Sequence, residues 1–286
     1  VPVAPQLADA ELLAGAVDLH VHGGPDVLAR RHSDLELARR AQAAGMAGLV
    51  LKCHNESTVG RAAGAREATG FPVSGGLVLN PAVSGGIEPD AVLTSLELGA
   101  RVIWMPTLAA TEHLRAFPGA APGTNRAAAR PARVSRSAIR AICVHVARHD
   151  AFVATGHLGR VHSALVAEEA AAAGARVLFQ HPDYTVPGLS LRAQASLAQR
   201  FPDALFERCA YVVSADAPRP TTVERVAAAI RAVGVERNVI SSDLGQPANG
   251  DYPDGLAAFA RSLIGTGLGI GEVREMLTER PAALLR

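Results

Sequence analysis

His20 and His22 close an apolar run, Val17-Asp18-Leu19-His20-Val21-His22. Residues i and i+2 of a β-strand project from one face, so both imidazoles would point the same way. Two neutral ring nitrogens converging at a strand end can grip a metal. Three more candidates each end an apolar run of their own: His157 in Ala154-Thr155-Gly156-His157, His181 in Leu178-Phe179-Gln180-His181-Pro182, and Asp243 in Ile240-Ser241-Ser242-Asp243. Histidine nitrogens with a carboxylate and no thiolate suit Zn2+, and Mn2+, Fe2+ or Ni2+ accept the same donors. A lone His-x-His is more often a pair of satisfied or solvated histidines; the weight here lies in the ordered series of runs.

The elements that would carry these groups alternate along the chain. Strands are expected at 16–22, 47–53, 72–79, 100–105, 151–157, 176–181, 205–213 and 237–243, and helices at 34–44, 58–69, 88–98, 135–148, 162–173, 190–200, 221–233 and 254–285. Ser33, Ser57, Ser190 and Thr221 are candidate N-caps, and Gly45, Gly70, Gly99, Gly174 and Gly234 sit where helices should stop. Eight such units in 286 residues without a composition break predict an α/β fold, a single (β/α)8 TIM barrel domain over 1–286. In this register the five metal-donor candidates and Lys52 all end strands and face one mouth, the end where barrel active sites lie.

Composition narrows the function classes. No run of 18 apolar residues occurs and the opening Val-Pro-Val-Ala-Pro has no signal-peptide pattern, so neither membrane span nor export is expected. Cys53, Cys143 and Cys209 are odd in number and widely spaced, which argues against a disulfide framework and fits a reducing cytoplasm. A net charge of +1 and 4% aromatic residues suggest no nucleic-acid partner. A small-molecule substrate is expected, and homo-oligomerisation is compatible with the composition.

The series of motifs resembles the amidohydrolase superfamily of metal-dependent barrel hydrolases: His20 and His22 on strand 1, His157 and His181 on strands 5 and 6, Asp243 on strand 8. Thr-Glu-Arg-Pro-Ala-Ala-Leu-Leu at 278–285 is similar to the C-terminal helix start common there. The strings Asp-Leu-His-Val-His-Gly-Gly-Pro-Asp, Leu-Lys-Cys-His, Trp-Met-Pro-Thr and Thr-Gly-His-Leu look like a branch without assigned function. The resemblance implies one or two divalent metals. It also implies a carboxylate bridge, a carboxylated Lys or a Glu, on strand 4, but Arg101-Val-Ile-Trp-Met-Pro-Thr107 offers neither. Lys52, at the end of strand 2, is the candidate replacement, since some members draw a ligand from that strand. It is the single lysine among 28 Lys and Arg residues. An amine, unlike a guanidinium, can lose its proton and add CO2. Three roles stay open: a carboxylated, metal-bridging Lys52, an ammonium holding an anion, and a structural side chain.

Other residues have two readings each. His54 is either a substrate contact or a helix cap, and Cys53 a buried inert thiol. Asp26, Arg30 and Arg31 follow strand 1, where substrate contact competes with a solvated loop, and Asn80 ends strand 3 but precedes Pro81 as ordinary turns do. The long connection 108–134 reads as a lid or insertion; 113–149 holds seven arginines (115, 126, 130, 133, 136, 140, 148) and no acid, which could attract an anionic substrate or merely be solvated. Glu207 and His162 are weaker candidates. The function expected is hydrolysis of a small amide, cyclic amide or lactone by activated water, with Asp243 as general base and then acid. A metal-dependent decarboxylase and a non-catalytic metal-binding barrel are the rivals.

Overall fold

The computed structural model describes residues 8–119 and 130–286. The strands are β1 (Val17–Val21), β2 (Gly48–Leu51), β3 (Val73–Ser74), β4 (Gly76–Val78), β5 (Val102–Trp104), β6 (Phe152–Ala154), β7 (Arg176–Phe179), β8 (Leu205–Cys209) and β9 (Asn238–Ser241). Every pairing is parallel: β1, β2 and β3 in order, then β4 through β9 in order. The expected third strand is interrupted at Gly75 into β3 and β4, because the Thr58 hydroxyl inserts there. It donates to the Leu51 carbonyl at 2.7 Å and accepts from the Gly76 N–H at 3.0 Å. The ring closes where the chain beyond β9 meets β1: Asp243 N–H donates to the His20 carbonyl at 2.7 Å and His22 N–H to the Leu244 carbonyl at 2.8 Å. Eight strand positions followed by helices thus give the (β/α)8 barrel expected.

Hydrophobic strand residues read as continuous runs because both faces are covered. Val50, Val78, Val102, Trp104, Phe152 and Val239 of successive strands form one buried cluster, joined by Leu284 near the C-terminus. A second cluster packs helices onto the sheet, as where Leu37, Ala38 and Ala41 of the helix Asp34–Ala43 meet Leu49 and Leu51. That helix starts with a capping box: Ser33 Oγ accepts from Glu36 N–H, and the Glu36 carboxylate accepts from Ser33 N–H at 2.7 Å. Ser190 caps its helix as expected, and all five expected glycine stops take positive φ.

Several boundaries differ from the sequence reading. The helix expected over 254–285 is three, Asp254–Gly265, Ile270–Leu277 and Glu279–Leu284, because the glycines at 265, 267 and 269 interrupt it and Gly269 N–H is capped by Glu272 at 2.7 Å. The strand expected over 205–213 stops at Cys209; Tyr211–Val213 is a 3-10 turn, with Tyr211 N–H donating to the Ser242 carbonyl at 3.0 Å. Thr222, not Thr221, caps its helix. Thr58 takes the cap position expected of Ser57 but gives no side-chain cap, its hydroxyl being turned to the strand. The strands expected to reach His157, His181 and Asp243 stop two or three residues earlier, so these groups stand on the loops at the barrel mouth. The 108–134 connection contains a helix, Thr111–Ala116; its residues 120–129, Arg126 among them, lie outside the described residues. Among the described residues no helix is long and apolar enough to cross a membrane.

Arg208 on β8 is fully buried and anchors the loop that carries His181. Its guanidinium pairs with Asp183 and donates to Gln194 at 2.7 Å and Asn238 at 2.8 Å, while Gln194 donates to Asp183 at 2.9 Å. Removing one partner of a buried pair strands the other charge, which costs about 3–5 kcal/mol. Arg208→Ala is therefore expected to lose about that much in urea unfolding, and the double variant Arg208→Met, Asp183→Asn clearly less. A single-variant loss under about 1 kcal/mol, the range of an exposed pair, would show that the network does not hold this loop.

Candidate functional site

β1 and the turn after β9 bring three donors together. His20 Nε2 and His22 Nε2 are 3.3 Å apart, and Asp243 Oδ1 lies 3.0 Å from the first and 3.1 Å from the second. Four-coordinate zinc with bonds of about 2.0–2.2 Å needs its ligand atoms roughly 3.3–3.6 Å apart, so the triad has only to widen slightly to become a ligand set. The residues present fit the group. All three are buried. Burial opposes the Asp243 anion, but the charges and hydrogen bonds of His20 and His22 outweigh it and hold its carboxyl well below the usual range.

Burial favours the neutral form of His22, His54, His157 and His181. Burial pushes His22 down to about 3, with the Arg30 charge adding to it, and His181 down to about 4. It also drives His54 and His157 well below the ordinary imidazole value. A neutral ring keeps the lone pair that ligation requires. His157 and His181 lie 5.1 Å apart by ring centroid, His181 is 5.9 Å from His20, and His54 is 5.0 Å from His22 and 5.8 Å from His157. Among the described residues, His181 Nδ1 is buried without a hydrogen-bond partner. Lys52, 1% exposed, follows β2 and places Nζ 3.0 Å from His20 Nε2. Burial pushes its ammonium down to about 8, against the pull of Asp243 and Glu207.

Outer contacts orient these groups. The Glu207 carboxylate stands 3.3 Å from His20 Nδ1, the arrangement that fixes a ligating ring with Nε2 free. Sequence reading ranked Glu207 low because a single acid within an apolar strand carries no spacing signal; its place on β8, one strand short of closure, is what brings it under His20. Arg30 spans from Asp26, at 2.7 Å, to His22 Nδ1 at 3.2 Å. Because a guanidinium only donates, this contact leaves the His22 proton on Nε2 toward Asp243, and ligation through Nε2 would require that proton to move to Nδ1 and the Arg30 contact to be given up. His54 Nδ1 meets the Thr107 hydroxyl at 2.9 Å. Asn80 faces away from the cavity: its amide donates to Thr107 Oγ1 and the His54 carbonyl and accepts from Thr107 and Ala109 N–H groups, so it clamps two loops together. Cys53 is buried, and burial pushes its thiol up to about 11. Of the seven arginines in 113–149, Arg136 and Arg140, beyond the 108–134 connection, pair with Glu169 on the neighbouring helix.

Lys52, His54, His157, His181, Asp243 and Arg30 line one cavity of about 210 Å³, walled by Leu28, Leu108, Phe117, Tyr184, Tyr211 and Pro218. A larger cavity, about 510 Å³, lies among the starts of the strands around Gly48 and Gly75 and contains none of the donors. Chemistry therefore belongs to the smaller one.

Residues 15–207 match the model of a family of unknown function, DUF6282. The chain belongs to that family. The family match takes in His20, His22, Lys52, His157, His181 and Glu207 and stops before Asp243. No curated protein matches. Among solved structures this DUF6282 chain is similar to an amidohydrolase from Pseudomonas aeruginosa, with 14% identity, a TM-score of 0.61 and 98% of each chain covered. A structure described as organophosphate hydrolysis engineered from a weak promiscuous lactonase template has 16% identity and a TM-score of 0.60, over 98% of this chain and 97% of that one. The organophosphorus hydrolase from Deinococcus radiodurans has 16% identity and a TM-score of 0.57, over 98% of this chain and 94% of that one. At these identities the likeness is one of fold, and it spans the barrel from end to end.

Two glycines hold the mouth together. Gly156, φ +60°, precedes His157, and a Cβ there would stand 2.2 Å from the Met105 carbonyl; Gly245, φ +133°, would put one 1.9 Å from the His22 carbonyl. Neither backbone can admit a side chain without moving a donor loop. Gly245→Ala is expected to cost at least about 2 kcal/mol in thermal or urea unfolding. Gly250→Ala, where a Cβ meets open space, should change stability by less than about 0.5 kcal/mol. Equal effects of the two would contradict the close approach.

Proposed function

We propose that the chain is a metal-dependent hydrolase of a small amide, cyclic amide or lactone. The observation that carries this reading is the meeting of His20 Nε2, His22 Nε2 and Asp243 Oδ1 within 3.3 Å of one another, with Asp243 also lining the cavity that His54, His157 and His181 border. His20, His22 and Asp243 would hold one divalent metal, with His157 and His181 as donors for a second; nitrogen and carboxylate donors favour Zn2+. Such an ion, when bound, polarises a carbonyl and lowers the pKa of water to about 7.

The chain's own residues do the rest. Asp243, anionic and beside the cavity, accepts the proton of the attacking water and returns it to the leaving nitrogen or oxygen as the tetrahedral adduct collapses. Lys52, buried and the only lysine, is the residue we assign to the bridge as a carbamate; its amine must be neutral to add CO2, and burial favours that form. His54 and Arg30 border the space left for substrate, and Leu28, Phe117, Tyr184 and Tyr211 exclude water from it. The compact cavity suits a small molecule. A single-metal decarboxylase is the second reading, favoured by one observation: β5, Val102–Trp104, carries no carboxylate or lysine to bridge two ions.

Protein purified without chelator is expected to carry at least about one divalent transition metal per chain. His20→Ala with His22→Ala should lose it while remaining folded. Metal content unchanged in that double variant would overturn the ligand set. Lys52→Arg, which keeps the charge, is expected to lower the metal count and abolish hydrolysis. Full metal content with only a raised KM would make Lys52 a substrate-binding ammonium instead, and CO2 release from a one-metal protein would favour the decarboxylase.

A further inference from the structure

We infer that the cavity among the strand starts, at the end of the barrel away from the donors, binds an organic carboxylate with an apolar body, a site independent of the metal-centre reading. It forms where the barrel wall parts. Among the described residues β3 pairs with β2 alone, and β5 pairs with β4 from Gly76 onward. The Arg101 N–H to Gly75 carbonyl bond, at 2.9 Å, is where the two sides still meet. Beside it the cavity of about 510 Å³ opens between residues 72–75 and 98–101. Pockets of about 300–1,000 Å³ hold small organic ligands.

The lining has two characters. Val17, Leu49, Val59 and Leu98 make part of it apolar, and its charged side chains are Arg66, Arg101 and Arg286, with no acid among them. Leu98 is 71% exposed, an uncovered apolar surface at the cavity edge. Arg66 stands exposed on the last turn of the helix Val59–Thr69 and gives Nη1 to the Val73 carbonyl at 3.2 Å. Among the described residues its other N–H groups have no acceptor. Arg101 meets one carboxylate, Asp150, at 3.8 Å, which is beyond hydrogen-bond range. Arg176 donates to the Ala283 carbonyl at 3.0 Å and to the Arg286 main-chain oxygen, and burial, then the charge of Arg101, works against its cation. Positive charge thus outweighs negative among these side chains. A guanidinium fork matches a planar carboxylate. An inorganic anion would leave the apolar lining wet and a neutral hydrocarbon would leave the guanidinium groups without an acceptor, so the two together select an acid with an aliphatic or aromatic body.

The test titrates hexanoate into 15N-labelled protein and follows glycine N–H signals by NMR. Gly75 and Gly99 line this cavity, and Gly156 and Gly245 report on the mouth. Hexanoate is expected to shift the first pair and not the second, with a Kd under about 1 mM. Acetate, inorganic phosphate and 1-hexanol each lack half of the ligand and should bind at least about tenfold more weakly. Two variants at exposed helix positions should each weaken hexanoate by about tenfold or more: Arg66→Glu, which replaces the cation with a carboxylate, and Ala63→Trp, which fills the cavity from its wall. The inference is overturned by no shift at about ten times the expected Kd, by shifts at Gly156 and Gly245 in place of Gly75 and Gly99, or by 1-hexanol or acetate binding as tightly as hexanoate. Unchanged affinity in the folded variants overturns it as well, and tighter binding of hexyl phosphate would replace the carboxylate by a phosphate monoester. Each outcome is read at the strand starts, so it stands whether or not the mouth holds an ion.

Discussion

The backbone bonds that close the barrel also assemble the site. Asp243 N–H on the His20 carbonyl and His22 N–H on the Leu244 carbonyl lock the first strand to the chain beyond the last, and the side chains of those same residues form the donor triad. His22 and Asp243 are 221 positions apart. Bringing such distant segments together costs entropy that grows only slowly with length, and the whole helical shell contributes to repaying it. Any perturbation of closure is consequently a perturbation of the triad. Asp18 reinforces the seam: its buried carboxylate accepts from the N–H groups of His20 and Ser242, both at 3.0 Å.

This concentration of polar groups is costly for folding. His20, His22, Lys52, His181 and Glu207 are almost fully buried, where each charge would suffer in the absence of a partner. The site meets that cost by dividing protonation unevenly. Glu207, opposed by burial but pulled down to about 2 by His20, and Asp243 remain anionic, His20 is drawn toward its protonated form by both in spite of its burial, and the remaining rings stay neutral. Residues placed this way serve chemistry rather than packing, the usual point at which local preference and function diverge.

Most of the scaffold was legible because strand and helix periods differ and because every donor follows an apolar run. The five donor candidates and Lys52 were placed at one mouth by register alone, and the structure gathers them there. What escaped were features fixed by tertiary contact. The break at Gly75 depends on a hydroxyl from a different segment. Asn80 looked like a rim residue, yet its amide is spent on Thr107, Ala109 and His54. Glu207 gains its meaning only from the ring nitrogen it faces across the barrel. Within the basic stretch 113–149, Arg136 and Arg140 pair with Glu169; a charge count cannot reveal where the opposite charge will stand.

The burial of Lys52 has a consequence for how this molecule meets amine-directed reagents. Every other long cation in the chain is an arginine, and the one ε-amine is 1% exposed. The folded surface therefore offers amine-directed electrophiles and lysine-specific proteases no lysine side chain. Acylation of that amine becomes a clock for the opening of the barrel mouth, legible in a single mass shift, with no competing lysine to obscure it.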